Sequence, residues 1–137
     1  MLHAAEIVFT KHTQAMAFPE EIKHLSEVHD ESQTIPKSSA VHKLCPVLLD
    51  GVMRVGGRID KAAVLPYDAR HPIILPKGSP LSMLLLRDAH RHVGHRGKNA
   101  MVAHVRQKFW IIGANNSSKK IAARCVTCRK YQKRPNE

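Results

Sequence analysis

Aromatic side chains are scarce in this 137-residue chain: one Trp, two Tyr and three Phe amount to 4% of it, so any core is thin and aliphatic. Long apolar runs are missing too. The longest, the LSMLLL of Leu81 to Leu86, falls far short of the roughly 18 residues a membrane span needs, and no basic segment followed by a hydrophobic stretch opens the chain. Membrane spanning and secretion are therefore not expected. Acids all but vanish from the second part. After residue 50 only Asp60, Asp68, Asp88 and Glu137 remain, scattered over turns and a terminus. No carboxylate cluster is available to hold the two divalent ions of a nuclease or strand-transfer site. Neither a P-loop nor a dinucleotide fingerprint is present. Cysteines number three, an odd count that excludes a simple disulfide framework. Cys45, alone in the stretch LCPVLLD, reads as a small buried hydrophobe.

What the chain does contain is positive charge. Its 22 Lys and Arg against 11 acids give a formal net charge of +11. The distribution is uneven: residues 1–50 hold four lysines and seven acids, whereas residues 51–137 hold eighteen basic residues and four acids. The second part is the candidate contact surface for a polyanion.

The N-terminal segment 4–18 has apolar residues too loosely spaced to favour helix or strand. Pro19 followed by Glu20 and Glu21 predicts a short helix from about Glu20 to Val28, with Ile22, Leu25 and Val28 on one side. A polar loop over 30–40 follows. From Leu44 the pattern changes to short apolar pieces cut by Gly, Pro and Asp. Asp50-Gly51 and Gly56-Gly57 predict turns, and Val52 to Val55 a short strand with Ile73 to Leu75 as its partner. The four prolines between 66 and 80 limit this region to an edge or an irregular small sheet. Pro80 after Ser79 starts a helix with Leu81, Leu84 and Leu85 on its buried stripe, ending near Val93 before Gly94. A second helix is predicted from Lys98 to Phe109, with Met101, Val102, Val105 and Phe109 inward. A third fits Ser117 to Cys125, capped by Asn116 or Ser117, with Ile121, Ala122 and Cys125 on one side. The expected core is these three helices.

The decisive pattern is His90-x4-His95, then twenty-nine residues, then Cys125-x2-Cys128. Two imidazoles and two thiolates suit the borderline softness of zinc and fill its four tetrahedral positions. On an uninterrupted helix, side chains five apart diverge by about 140°. Gly94 resolves this, because His90 can project from the last turn while His95 returns from beyond the helix end. One structural Zn²⁺ is expected. It would contribute about 10 to 16 kcal/mol to folding, more than so small a core supplies alone. His92, three residues before His95, is the competing ligand to His90. His104 reads as a solvated or phosphate-contacting residue, and His3, His12, His24, His29, His42 and His71 as ordinary histidines.

The stretch HRHVGHRGKNAMVAHVRQKFWIIGANNSSKKIAARCVTCRKYQ resembles the zinc-binding domain of retroelement integrases, the H2C2 or HHCC domain. His90, His95, Cys125 and Cys128 fall on the family's ligands. Gly94 and Gly97 flank the second histidine, and Phe109-Trp110 takes the aromatic pair. Met101 stands where the family usually has Thr. Upstream, GGRI and LPYDARHPIILPKG are similar to the segment preceding that domain in Pao/BEL retrotransposon polyproteins. The family's catalytic core would begin after the cysteines, so this chain is expected not to cut or join DNA by itself. The resemblance implies a module that helps integrase multimerise and holds DNA ends.

The fold expected is small α+β: an irregular short-strand extension over 1–76, a zinc-stabilised three-helix HHCC bundle over 77–131, and a basic tail over 132–137. Arg87, Arg91, Arg96, Lys98, Arg106, Lys108, Lys119, Lys120, Arg124, Arg129, Lys130, Lys133 and Arg134 are the candidate nucleic-acid contacts, binding phosphates largely without sequence preference. Phe109 and Trp110 read as core residues rather than stacking platforms. Expected partners are nucleic acid, DNA above all, and a second copy or an integrase catalytic core in trans, at an intracellular location, the nucleus included. The alternative is a zinc-stabilised protein-interaction scaffold that binds no nucleic acid.

Overall fold

The computed structural model describes residues 4–27, 36, 38–56 and 67–128. Two N-terminal helices, α1 (Ala4–Ala17) and α2 (Pro19–Glu27), precede a 3₁₀ turn at His42–Leu44 and the hairpin β1 (Val47–Leu49) and β2 (Val52–Arg54). A short helix α3 (Tyr67–Arg70) leads to β3 (Ile73–Leu75), and then come α4 (Pro80–His92), α5 (Lys98–Val105), β4 (Phe109–Ile111) and α6 (Ala114–Arg124). The architecture is the small α+β fold that the sequence predicts.

The strands form one sheet in the order β1-β2-β3-β4. Asp50 and Gly51, both at positive φ, close the β1-β2 hairpin as an Asp-Gly pair should. β3 pairs antiparallel with β2 through Arg54 and Ile73, and parallel with β4 over all three residues. Pro72 and Pro76 bracket β3 and set its length, yet the strand is interior and fully buried. β4 corrects the sequence reading. The second helix does not run to Phe109 but stops at Val105, and Phe109, Trp110 and Ile111 leave it as a strand. The cause lies in β3, whose backbone is satisfied by this segment: Ile73 N–H donates to Lys108 O, and Ile112 N–H donates to Leu75 O.

Leu84 is 53% exposed; the inward face of α4 is Leu81, Ser82, Leu86, Ala89 and His90. α6 starts three residues early, at Ala114 after Gly113, so Asn116 and Ser117 lie inside the helix and cap nothing. Cys45 is exposed, because it closes the 3₁₀ turn in a left-handed conformation that turns its side chain outward. The core is not helical alone. Val52, Ile73, Leu75, Phe109 and Ile111 from the sheet pack with Leu81, Leu86, Ala89, Val102, Val105 and Ala114 from the helices. A second cluster of Phe18, Val41, Met53 and Ile74 lies on the α1–α2 side, where Ile22 and Leu25 pack as predicted. Val28, Gly57 and the segment 30–35 lie outside the described residues.

α1 is inverted relative to an ordinary amphipathic helix. Its buried residues are Thr10, Thr13 and Gln14, while Val8 and Met16 are 68% and 73% exposed. Gln14 explains the arrangement. Its amide donates to Met53 O and Ile74 O, both at 2.8 Å, and its carbonyl accepts from Met53 N–H at 2.9 Å. β2 and β3 share one ladder pair, and the side chain of Gln14 supplies the bonds that the diverging strands cannot make to each other.

Candidate metal centre

Four elements of local structure deliver the ligands. Ser79 caps α4 by accepting from Ser82 N–H at 3.1 Å, and the buried Ser82 hydroxyl donates to Pro76 O at 2.6 Å, fixing the start of α4 against the end of β3. At the other end of α4, His95 N–H donates to His90 O and Gly94 N–H to Arg91 O, with Gly94 at φ 64°. These are the two bonds of a Schellman motif in which Val93 is the C-cap. His90 and His95 therefore occupy the two positions that this motif brings into side-chain contact. The five-residue spacing is the motif's own, and the contact that is usually hydrophobic is here made by two imidazoles. His95 is itself left-handed at φ 61°, a conformation that costs a non-glycine residue on the order of 1 kcal/mol or more.

Cys125 ends α6, and Cys128 follows in the single helical turn 126–128. The four donor atoms lie within 4.8 Å of one another. His90 Nε2 stands 2.8 Å from His95 Nδ1; Cys125 Sγ is 3.3 Å from His95 Nδ1; Cys128 Sγ is 3.4 Å from His90 Nε2 and 3.9 Å from His95 Nδ1. A tetrahedral zinc with Zn–N near 2.0–2.1 Å and Zn–S near 2.3 Å needs N···S edges of about 3.6 Å and an N···N edge of about 3.3 Å. These three N···S edges fit within a few tenths of an ångström, and the imidazoles need to part by about half an ångström. Among the described residues no other His, Cys, Asp and Glu side chains form such a group.

The protonation states of His90 and Cys125 suit metal binding. Burial, reinforced by the neighbouring His95, lowers the His90 pKa and keeps the imidazole neutral with a lone pair to offer. The backbone N–H of Cys128 points at the Cys125 sulfur and lowers its pKa, so Cys125 is the first of the two thiols to ionise; burial pushes Cys128 upward. His90 Nδ1 is buried and makes no protein hydrogen bond, which leaves Nε2 as the atom through which this ring meets its neighbours.

His92 takes no part. It is exposed, its Nε2 lies 3.6 Å from Asp88, and its ring stacks on His104 at 5.2 Å between centroids. His104 is accordingly half-buried against His92 rather than freely solvated. Gly97 precedes α5 at φ 97° as its N-cap. Phe109 is buried in the core, and Trp110 is half-buried with the Arg106 guanidinium 4.3 Å from its ring centre. Gln14 and Ser82 escaped the sequence reading. Ser82 stands at the position where a capping box would carry Glu or Gln, and nothing in the local pattern marks it or Gln14.

Arg87, Arg91, Arg96, Lys98, Arg106, Lys108, Lys119, Lys120 and Arg124 are all exposed, and Asp88 is the only acid between residues 79 and 128. Arg129, Lys130, Lys133 and Arg134 lie outside the described residues.

A centre filled by four protein ligands leaves no position for substrate or an activated water, so its role is structural. No helix among the described residues is long and apolar enough to cross a membrane. Residues 79–134 match the integrase zinc-binding domain family. No curated protein and no solved structure shows significant similarity to the chain. With the ligand geometry and the match in agreement, residues 79–134 are an integrase-type, H2C2-like zinc-binding domain with a single structural zinc-type site and no catalytic role.

Proposed function

We propose that the chain is a zinc-stabilised protein-interaction scaffold, in which the metal holds the fold and a separate surface docks a protein partner. The observation that carries this reading is the outward apolar arc of α1. Taken at about 100° per residue, Ala4, Ala5, Val8, Phe9, Ala15 and Met16 share one side of that helix, interrupted only by His12 and Lys11 at its edge. Apolar faces of this kind on a small domain mark contact surfaces. The partner is a second copy of the chain or an integrase catalytic core supplied in trans. Sedimentation of the zinc-loaded protein tests it: wild type self-associates or captures a purified integrase core, and Val8→Ser/Met16→Ser does neither. Binding unchanged by that pair of substitutions overturns the reading.

A second reading is favoured by a different observation, the nine exposed cations and one acid between residues 79 and 128. On it the module binds nucleic acid, DNA above all, mainly through phosphates. Its mark is an oligonucleotide affinity that falls steeply as salt rises; an affinity indifferent to salt removes its electrostatic basis. Descent from a Pao/BEL-type polyprotein belongs to the same proposal and is supported by the likeness of LPYDARHPIILPKG to that class.

A further inference from the structure

Arg87 on α4 and Lys120 and Arg124 on α6 line one recess of about 280 Å³ together with Met83, Ile121 and Cys125. No acid lines it. Most other cations of the domain are dispersed or already engaged: Arg91 lies 3.9 Å from Asp88, Arg96 donates to Val93 O, and Arg106 covers Trp110. In the recess three positive groups from two helices converge on shared space. Their helices are held at that spacing by the metal ligands, since His90 lies in the last turn of α4 and Cys125 caps the end of α6. The metal centre does not neutralise them, because two thiolates and two neutral imidazoles balance a divalent zinc. Like charges lining one recess repel, and a bound oxyanion offsets the repulsion while accepting charge-assisted hydrogen bonds from guanidinium and ammonium groups.

We infer that the notch between α4 and α6 is a phosphate site, with Arg87, Lys120 and Arg124 as its three donors and a nucleic-acid phosphodiester as its occupant. The inference rests on the nucleic-acid reading and assigns it a location. A backbone is favoured over a free polyphosphate because the charge continues past the notch, into the exposed Lys119 beside Lys120.

The test compares duplex oligonucleotide binding by zinc-loaded wild type, the notch triple Arg87→Ala/Lys120→Ala/Arg124→Ala, and the control triple Arg91→Ala/Lys98→Ala/Lys108→Ala, across a salt series. All six are exposed helical or loop positions, and retained helicity and zinc content confirm the fold. Each lost phosphate contact lowers the log K against log salt slope by about 0.9. The expected result is a loss of roughly tenfold or more and a slope smaller by about 2 to 3 for the notch triple, about one for Lys120→Ala alone, and less for the control triple than for the notch triple. Equal losses in the two triples overturn the notch while leaving nucleic-acid binding standing. No binding by wild type overturns both. Tight binding of tripolyphosphate to a wild-type protein without oligonucleotide affinity overturns the assignment to nucleic acid.

Discussion

The histidine pair is set by a conformation that a single residue controls. Gly94 holds the left-handed turn of the Schellman motif, and no atom lies within 4 Å of where its Cβ would be. Gly94→Ala therefore tests backbone strain alone. It should cost about 1–2 kcal/mol in urea unfolding of the zinc-loaded protein, with Gly94→Asn costing less. The two candidate histidines separate cleanly: His90→Ala should lose about one equivalent of zinc with much of the helicity, as should Cys125→Ala, while His92→Ala keeps both. Elemental analysis read beside circular dichroism decides this, and retention of zinc by His90→Ala contradicts the ligand set. Away from the metal, Gln14→Ala leaves Met53 N–H, Met53 O and Ile74 O without their partner. Buried unpaired groups cost about 1–3 kcal/mol each, so a destabilisation of about 3 kcal/mol or more is expected from denaturant titration.

At the scale of elements, legibility followed the kind of signal each segment carries. α4 was readable nearly to the residue, because Ser79-Pro80 and Gly94 punctuate it at both ends. The Asp50-Gly51 turn and the strand after it were readable, whereas the pairing of that strand with Val47–Leu49 was not assigned. α1 was not, since hydrophobic periodicity locates a buried face only when that face is apolar, and here it is Thr10, Thr13 and Gln14. β4 was hidden for another reason. Met101, Val102, Val105 and Phe109 follow helical spacing, and only the demand of β3 for a partner seventy residues into the chain pulls Phe109 out of that register. The four ligands were visible because Cys and His at fixed spacing carry their own chemistry. Their supports, Ser82 and the strain at His95, belong to tertiary structure.

For the whole molecule, the principal core takes residues from β2 and β3 as well as from every helix and strand between 80 and 114. Metal and sheet should therefore report one event. Trp110, the only tryptophan, lies in β4 next to β3, and its fluorescence in urea should change together with far-UV helicity in a single transition. Chelation should move both signals at once, because the metal's contribution exceeds what a core this small can replace. Two separated transitions would show that the segment ahead of Ser79 and the matched domain unfold independently.

The Schellman turn also bears on how the ion is acquired. His90 and His95 are five residues apart and joined by local backbone bonds, whereas thirty residues separate His95 from Cys125. Closing the longer span costs about 1.5 kcal/mol more in chain entropy than closing the shorter one. The imidazole pair is thus ready to bind while the rest of the chain is still searching. Cys125 and Cys128 would then complete the site around an ion already held by the two imidazoles, and their arrival would bring α6 onto α4, so that capture of the ion would be an early step of folding rather than its last.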